Sequence, residues 1–214
     1  MRALLSRFTL RLSAAADRAG LMVAANGGVA AVEFAMVLPV MVLMYLGMTE
    51  MTFGVNTDRK ITLLSRTLAD LTGRATSVSS TEMDTIFAAA TSVMSPYRSD
   101  QAKMVVSSIV VKDTGQKDAQ SKPILKGTVC WSTARGPGAV ALAKGSTVTV
   151  PEGFQTADSS YVRADVTMAY APVFGSEILK MISGTSAINL SEETPWPVRN
   201  VKEVAWQGTT PCLT

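Results

Sequence analysis

Histidine is absent from all 214 residues. That removes the commonest metal ligand and the side chain most often used as a general base, so most hydrolase readings weaken at once. Also missing are a G-x-S-x-G nucleophile elbow, a Walker phosphate loop and a G-x-G-x-x-G dinucleotide fingerprint. Asp113-Thr114-Gly115 carries the three-residue signature of aspartic proteases, but it has no second copy, and Lys112 precedes it where an apolar strand is required. A polar hairpin turn explains it better, and Gly136-Pro137-Gly138 likewise reads as a turn. No catalytic residue, cofactor or metal site is assigned, and the chain is expected not to be an enzyme. The net charge is only +3, without a dense basic run, so nucleic acid is not an expected partner. Cysteine is scarce too: Cys130 and Cys212 are the two thiols, and with no C-x-x-C pair redox catalysis is not indicated.

What the chain does have is apolar sequence, 47% of its residues, much of it in one stretch from Asn26, NGGVAAVEFAMVLPVMVLMYLGMTEMTFG. Between Val29 and Phe53 the ionisable side chains are Glu33, Tyr45 and Glu50. About 20 apolar residues cross a bilayer as a helix, and this run supplies them. Pro39 is tolerable in a membrane helix, where neighbours or local adjustment satisfy the freed carbonyl. A buried core helix rarely stays apolar on every face for so long. A cleaved signal peptide is disfavoured by the length of the run and by the absence of a small-x-small site after it. Arg2, Arg7, Arg11 and Arg18 precede the run against one acid, Asp17, whereas Asp58 accompanies Arg59 and Lys60 beyond it. The positive-inside rule then puts the N-terminus in the cytoplasm and everything after the run on the far side.

Within this stretch, Gly28 is followed by Val29-Ala30-Ala31-Val32-Glu33-Phe34, and AVEFAMVLP and LGMTEMTFG follow one another. This arrangement resembles the processing site of type IV-type prepilins, and within them the TadE-like pseudopilins of the tight-adherence (Tad, or Flp) pilus system. Gly28, Glu33, Phe34, Pro39, Gly47, Glu50 and Gly54 carry the resemblance, over roughly residues 26 to 72. It implies a cytoplasmic leader, 1–28, removed by a prepilin peptidase between Gly28 and Val29. It further implies partners in the major pilin, other pseudopilins and the Tad membrane platform. The chemistry is consistent with that: cleavage would leave an ammonium on Val29 one turn from Glu33, and a carboxylate in a helix's first turn also meets the positive end of the macrodipole. Glu33 would then set register during assembly. The alternative is a Glu33 that simply snorkels at headgroup depth. Glu50, at the other end of the run, reads more readily as an interfacial residue, and Met36, Met41, Met44, Met48 and Met51 as lipid-facing filler.

Beyond the run, Ile61, Leu64, Leu68 and Leu71 keep a helical spacing, so one helix is expected from Val29 to Thr72, about 65 Å at 1.5 Å per residue. Gly73 ends it. Thr81 with Asp84 suggests the cap of a second helix, with Met83, Ile86, Phe87, Ala90 and Met94 as its buried face and Pro96 as its stop. Strands are expected over 103–111, 124–132, 146–150 and 160–171, with a long polar turn after the first. In the fourth strand both faces look fairly apolar. A short helix over 176–182 and a last strand over 185–190 follow, ahead of a Pro-Trp-Pro segment and a tail. Helices followed mainly by strands imply an α+β fold with an antiparallel sheet behind a pilin-like long helix.

The expected organisation is a leader, 1–28, a transmembrane helix, 29–54, and a periplasmic α+β domain, 55–214, on which the helical continuation 55–72 packs. In an oxidising periplasm Cys130 and Cys212 can pair, closing a loop of about 80 residues and contributing up to about 4 kcal/mol. Two separate buried thiols are the alternative. The expected function is that of a minor pseudopilin in the bacterial inner membrane that supports pilus biogenesis and adhesion. Its rival is an unprocessed bitopic envelope protein whose outer domain binds a ligand or partner.

Overall fold

The structure, a computed structural model, describes residues 27–117 and 121–213. The leader and its arginines therefore lie outside the described residues, apart from Gly27 and Gly28. The chain divides into two compact units, Met1–Thr49 and Glu50–Thr214. Helix α1, Gly27–Arg74, supplies the described part of the first and the opening element of the second, two residues longer at each end than expected.

In the first unit α1 passes through Pro39 without a break. Val29, Val32, Phe34, Met36, Val40, Leu43 and Tyr45 are all exposed, on every face of the helix. A helix apolar all round has no surface suited to water. This one is long and apolar enough to cross a membrane.

The second unit is an α+β domain. After α1 come β1, Ser77–Val78; α2, Ser80–Thr91, with a 3-10 turn Ser92–Met94; β2, Lys103–Lys117; β3, Pro123–Arg135; β4, Thr147–Val148; β5, Ser159–Tyr170; α3, Ser176–Ser183; β6, Ile188–Pro197; and β7, Ala205–Trp206. Five strands form an antiparallel sheet in the order β4-β3-β2-β5-β6, and β1 pairs in parallel with β7.

One face of the sheet receives α1 and α2. Ile61, Leu64 and Leu68 from α1 and Met83, Phe87 and Ala90 from α2 are buried together with Val106 and Val110 of β2 and Val162, Ala164, Val166 and Met168 of β5. Alternate positions on the strands and three-to-four spacing on the helices put these side chains on facing surfaces. Ser65 sits in the same stripe, and its hydroxyl donates to the Ala164 carbonyl at 2.9 Å, so a buried polar group is satisfied across the layers. Lys60 extends to the 3-10 turn that follows α2 and donates to the carbonyls of Val93 and Ser95, at 2.8 and 3.0 Å, where the end of the turn leaves acceptors free. The other face buries Ile109, Val111, Val129, Val150 and Tyr161 against Leu142 and Phe154. From β5 this second cluster takes Tyr161, while Arg163, Asp165 and Thr167 on the same side are half-buried and polar, so the strand is apolar mainly on the face toward the helices rather than on both.

Several expectations change. The cap of α2 is Ser79, not Thr81: Glu82 N donates to Ser79 Oγ at 3.2 Å, and Ser79 N to Glu82 Oε2 at 2.7 Å. Asp84, one methylene shorter than a glutamate, instead pairs with Arg135 at 2.7 Å. Asp113-Thr114-Gly115 is not a turn between strands but lies inside β2, which continues to Lys117. There Gly115, at φ 74, and the acceptance of Gly115 N by Asp113 Oδ1 at 2.8 Å accompany a break in register. The last long strand is Ile188–Pro197 instead of 185–190, so Pro-Trp-Pro is the end of that strand rather than a segment after it. β6 is an edge strand, and Pro195 and Pro197, two residues apart, place their missing N–H groups on the same side, away from β5.

Candidate functional site

Glu50 and Gly54 are four residues apart and so share one face of α1. Opposite them stands Tyr170, the last residue of β5. Its hydroxyl donates to Glu50 Oε2 at 3.1 Å, and the backbone N–H of Phe174 donates to Glu50 Oε1 at 2.6 Å. Each carboxylate oxygen thus has its own donor, both supplied by the segment that leaves the sheet. The ring lies against the helix at Gly54, where an added Cβ would meet Tyr170 Cε1 at 3.6 Å, an ordinary contact. Beside this contact a cavity of about 380 Å³, mostly apolar, is lined by Met51, Gly54, Val55, Pro172, Ile188 and Leu190. Burial, the hydrogen bond to Glu50 and the Glu50 charge together push the Tyr170 hydroxyl up to about 12. It therefore remains a neutral donor at any physiological pH. Here a phenol and a main-chain amide hold a carboxylate in an apolar setting, which is a structural clasp.

At its C-terminal end α1 is held by the last residues of β6 and the segment that follows it. Asp70 accepts from Trp196 Nε1 at 3.1 Å and pairs with Arg74 at 2.6 Å and Arg199 at 2.9 Å. Burial alone would push the Asp70 carboxyl up, but the two guanidiniums and the indole outweigh it and hold the group below its ordinary value. Arg199 N and Asn200 Nδ2 donate to the carbonyls of Gly73 and Arg74, which have no acceptor role left inside the helix.

A disulfide joins Cys130 to Cys212, with Cα atoms 6.0 Å apart. β3 shifts register here: Ser108 faces Trp131 and Ile109 faces Val129, so Cys130 is an extra residue. Such a bulge turns two successive side chains toward one face, and Cys130 and Trp131 both enter the larger core. Glu203 lies close enough to both sulfurs to suggest a metal-binding triad. Its carboxylate, however, accepts Cys212 N at 2.9 Å and Leu213 N at 2.7 Å, and the sulfurs are committed to each other. The three groups fasten the tail.

The structure therefore brings Glu50 and Gly54 to Tyr170 and Phe174, and Cys130 to Cys212. Gly28, Val29, Glu33, Phe34 and Pro39 stay exposed along the first unit's helix, and Gly28 and Gly47 face open space. Tyr170, Phe174, Asp70 and Trp196 escaped the sequence reading. For Trp196 a signal existed, an aromatic alternating with edge-compatible prolines; for Tyr170, 120 residues from its partner, there was none.

These features define a helix-led α+β protein whose first helix is suited to a single membrane crossing. More particularly, residues 28–70 match the family described as TadE-like protein, so the chain carries a TadE-like segment from Gly28 through Asp70. No curated protein and no solved structure matches the chain.

Proposed function

We propose that this chain is a minor pseudopilin that serves biogenesis of a Tad pilus and the adhesion that depends on it. In this reading residues 29–54 cross the bacterial inner membrane, 1–28 form a cytoplasmic leader, and 55–214 lie in the periplasm. A prepilin peptidase cuts between Gly28 and Val29. Glu33 and Phe34 then open the mature helix, and Glu33, facing the new ammonium of its own or a neighbouring chain, sets register as helices associate. The partners are the major pilin, other pseudopilins and the Tad membrane platform.

The observation that carries this reading is the TadE-like match, which starts at Gly28 and runs through the apolar helix. Exposure of apolar side chains on all faces of that helix supports it, because such a surface calls for lipid or other helices. The disulfide fits an oxidising compartment. The test is intact-mass measurement of protein extracted from membranes of cells with an active prepilin peptidase. An N-terminus at Val29 is expected, together with loss of cleavage and of pili in a Gly28→Asp variant. A chain that keeps its leader while fibres form normally would refute the proposal and leave the unprocessed bitopic protein in its place.

A further inference from the structure

One stretch of the second unit leaves large apolar side chains uncovered. After β5 ends, Val173 and Phe174 are 71% and 57% exposed, and α3 then presents Met181 and Ile182 at 84% and 77%. Single exposed apolar residues are ordinary, but four within ten positions form a surface that water does not favour. The helix is sided. Ser176, Lys180 and Ser183 share one face at spacings of four and three, and Ile182 lies on the opposite one. An eight-residue helix is also marginal by itself in water and gains from a surface to lie on.

The chain indicates which surface. Phe174 N is bonded to Glu50 Oε1 at 2.6 Å. Glu50 stands at the end of the apolar run, and Met51, Phe53 and Val55 beyond it are still exposed. Lipid that covers Met51, Phe53 and Val55 would therefore also lie beside Phe174, which is bonded to the same turn of helix. A carboxylate at that boundary is tolerable because both its oxygens are already hydrogen-bonded.

We propose that residues 173–182 form a second, in-plane membrane anchor. Phe174, Met181 and Ile182 enter the boundary between headgroups and acyl chains, and Lys180 stays at the headgroups, in the manner of an interfacial amphipathic helix. Through the Glu50 clasp, this anchor fixes how the periplasmic domain is presented on the outer leaflet. The inference rests on the reading that residues 29–54 cross the bilayer.

The experiment places the full chain in lipid nanodiscs, one copy per disc, with and without bromine on the lipid acyl chains. Single tryptophans are introduced by Phe174→Trp and, in a second variant, Met181→Trp. Val42→Trp within the apolar run and Val140→Trp on an exposed loop serve as references, and the parent signal from Trp131, Trp196 and Trp206 is subtracted. Brominated lipid should cut the added fluorescence at positions 174 and 181 at least twofold and leave that at 140 unchanged. Quenching at 42 without quenching at 174 and 181 overturns the anchor alone. Escape at 42 as well overturns the membrane crossing and the anchor with it. If positions 174 and 181 are shielded from bromine, and from aqueous acrylamide only when several copies share a disc, the surface belongs to a second copy and the lipid assignment is wrong.

Discussion

Tyr170 and Glu50 lie 120 residues apart in the chain, and their side chains meet in a 3.1 Å hydrogen bond that joins the end of β5 to α1. A hydrogen bond to a charged group contributes about 1.5 to 3 kcal/mol when shielded from water. A double-mutant cycle of Glu50→Ala and Tyr170→Phe, with the full chain in detergent micelles and denaturant unfolding followed by tryptophan fluorescence, should give a coupling of about 1 to 2 kcal/mol. Additive losses would mean the contact contributes nothing. The raised Tyr170 value adds a sign: the folded state favours the neutral phenol, so this contribution is complete below about pH 10 and is lost as pH rises toward 12. Tyr170→Phe should shrink the alkaline decline without abolishing it, because burial pushes the Tyr161 hydroxyl up to about 12 as well.

Gly54 separates two explanations for a small residue in the LGMTEMTFG stretch. Its added Cβ would meet Tyr170 Cε1 at 3.6 Å, an ordinary contact. Gly54→Ala should therefore be accepted and, inside a helix, should stabilise by about 0.5 to 1 kcal/mol. Gly54→Leu should push the Tyr170 ring off Glu50 and destabilise by about 1 to 3 kcal/mol. Equal stability of the two variants would show that the ring has free room to move.

Much of this architecture could be read ahead of the structure because local chemistry and global fold agree there. Ile61, Leu64 and Leu68 advertise a helical stripe, and Val162, Ala164, Val166 and Met168 a strand face, and both become core. The α+β class follows from that order. Reading failed where a residue answers to a distant partner. Asp84 looks like half of a capping box until Arg135 claims it, and Pro195 and Pro197 look like a strand's end until the edge position of β6 makes their missing N–H groups harmless. Parallel pairing of Ser77-Val78 with Ala205-Trp206 is too short to leave a pattern. Glu50 was visible as an oddity but not as the acceptor of two donors from the far end of β5.

Asp70 gives the domain an acid-sensitive joint. Its folded value lies below the ordinary 3.8, so the folded state holds fewer protons in that range than the unfolded chain does. The stability it contributes is complete above the ordinary value and is lost as pH falls through the folded one. Asp70→Asn should destabilise at neutral pH, where Arg74 and Arg199 lose their partner, and should flatten the decline of stability below about pH 4 relative to the parent. Parallel pH profiles for the two proteins would exclude Asp70 as the source.

The disulfide should be worth the most of any single covalent or polar feature of the domain. Closing residues 82 apart restricts the unfolded chain, and the loop-entropy estimate is about 4 kcal/mol, an upper figure because unfolded chains keep some structure. Paired replacement of Cys130 and Cys212 by serine should lower unfolding free energy toward that amount without abolishing the fold, since Cys130 is a single member of a larger core built mainly from aliphatic and aromatic side chains. Glu203 makes a sharper distinction possible. Its carboxylate accepts Cys212 N and Leu213 N, bonds to the main chain that do not involve the sulfurs. Glu203→Gln in the serine background should therefore release the tail further, seen as faster amide exchange over 209–213 than in either variant alone. Unchanged exchange there would mean that the covalent link by itself keeps the tail against the domain.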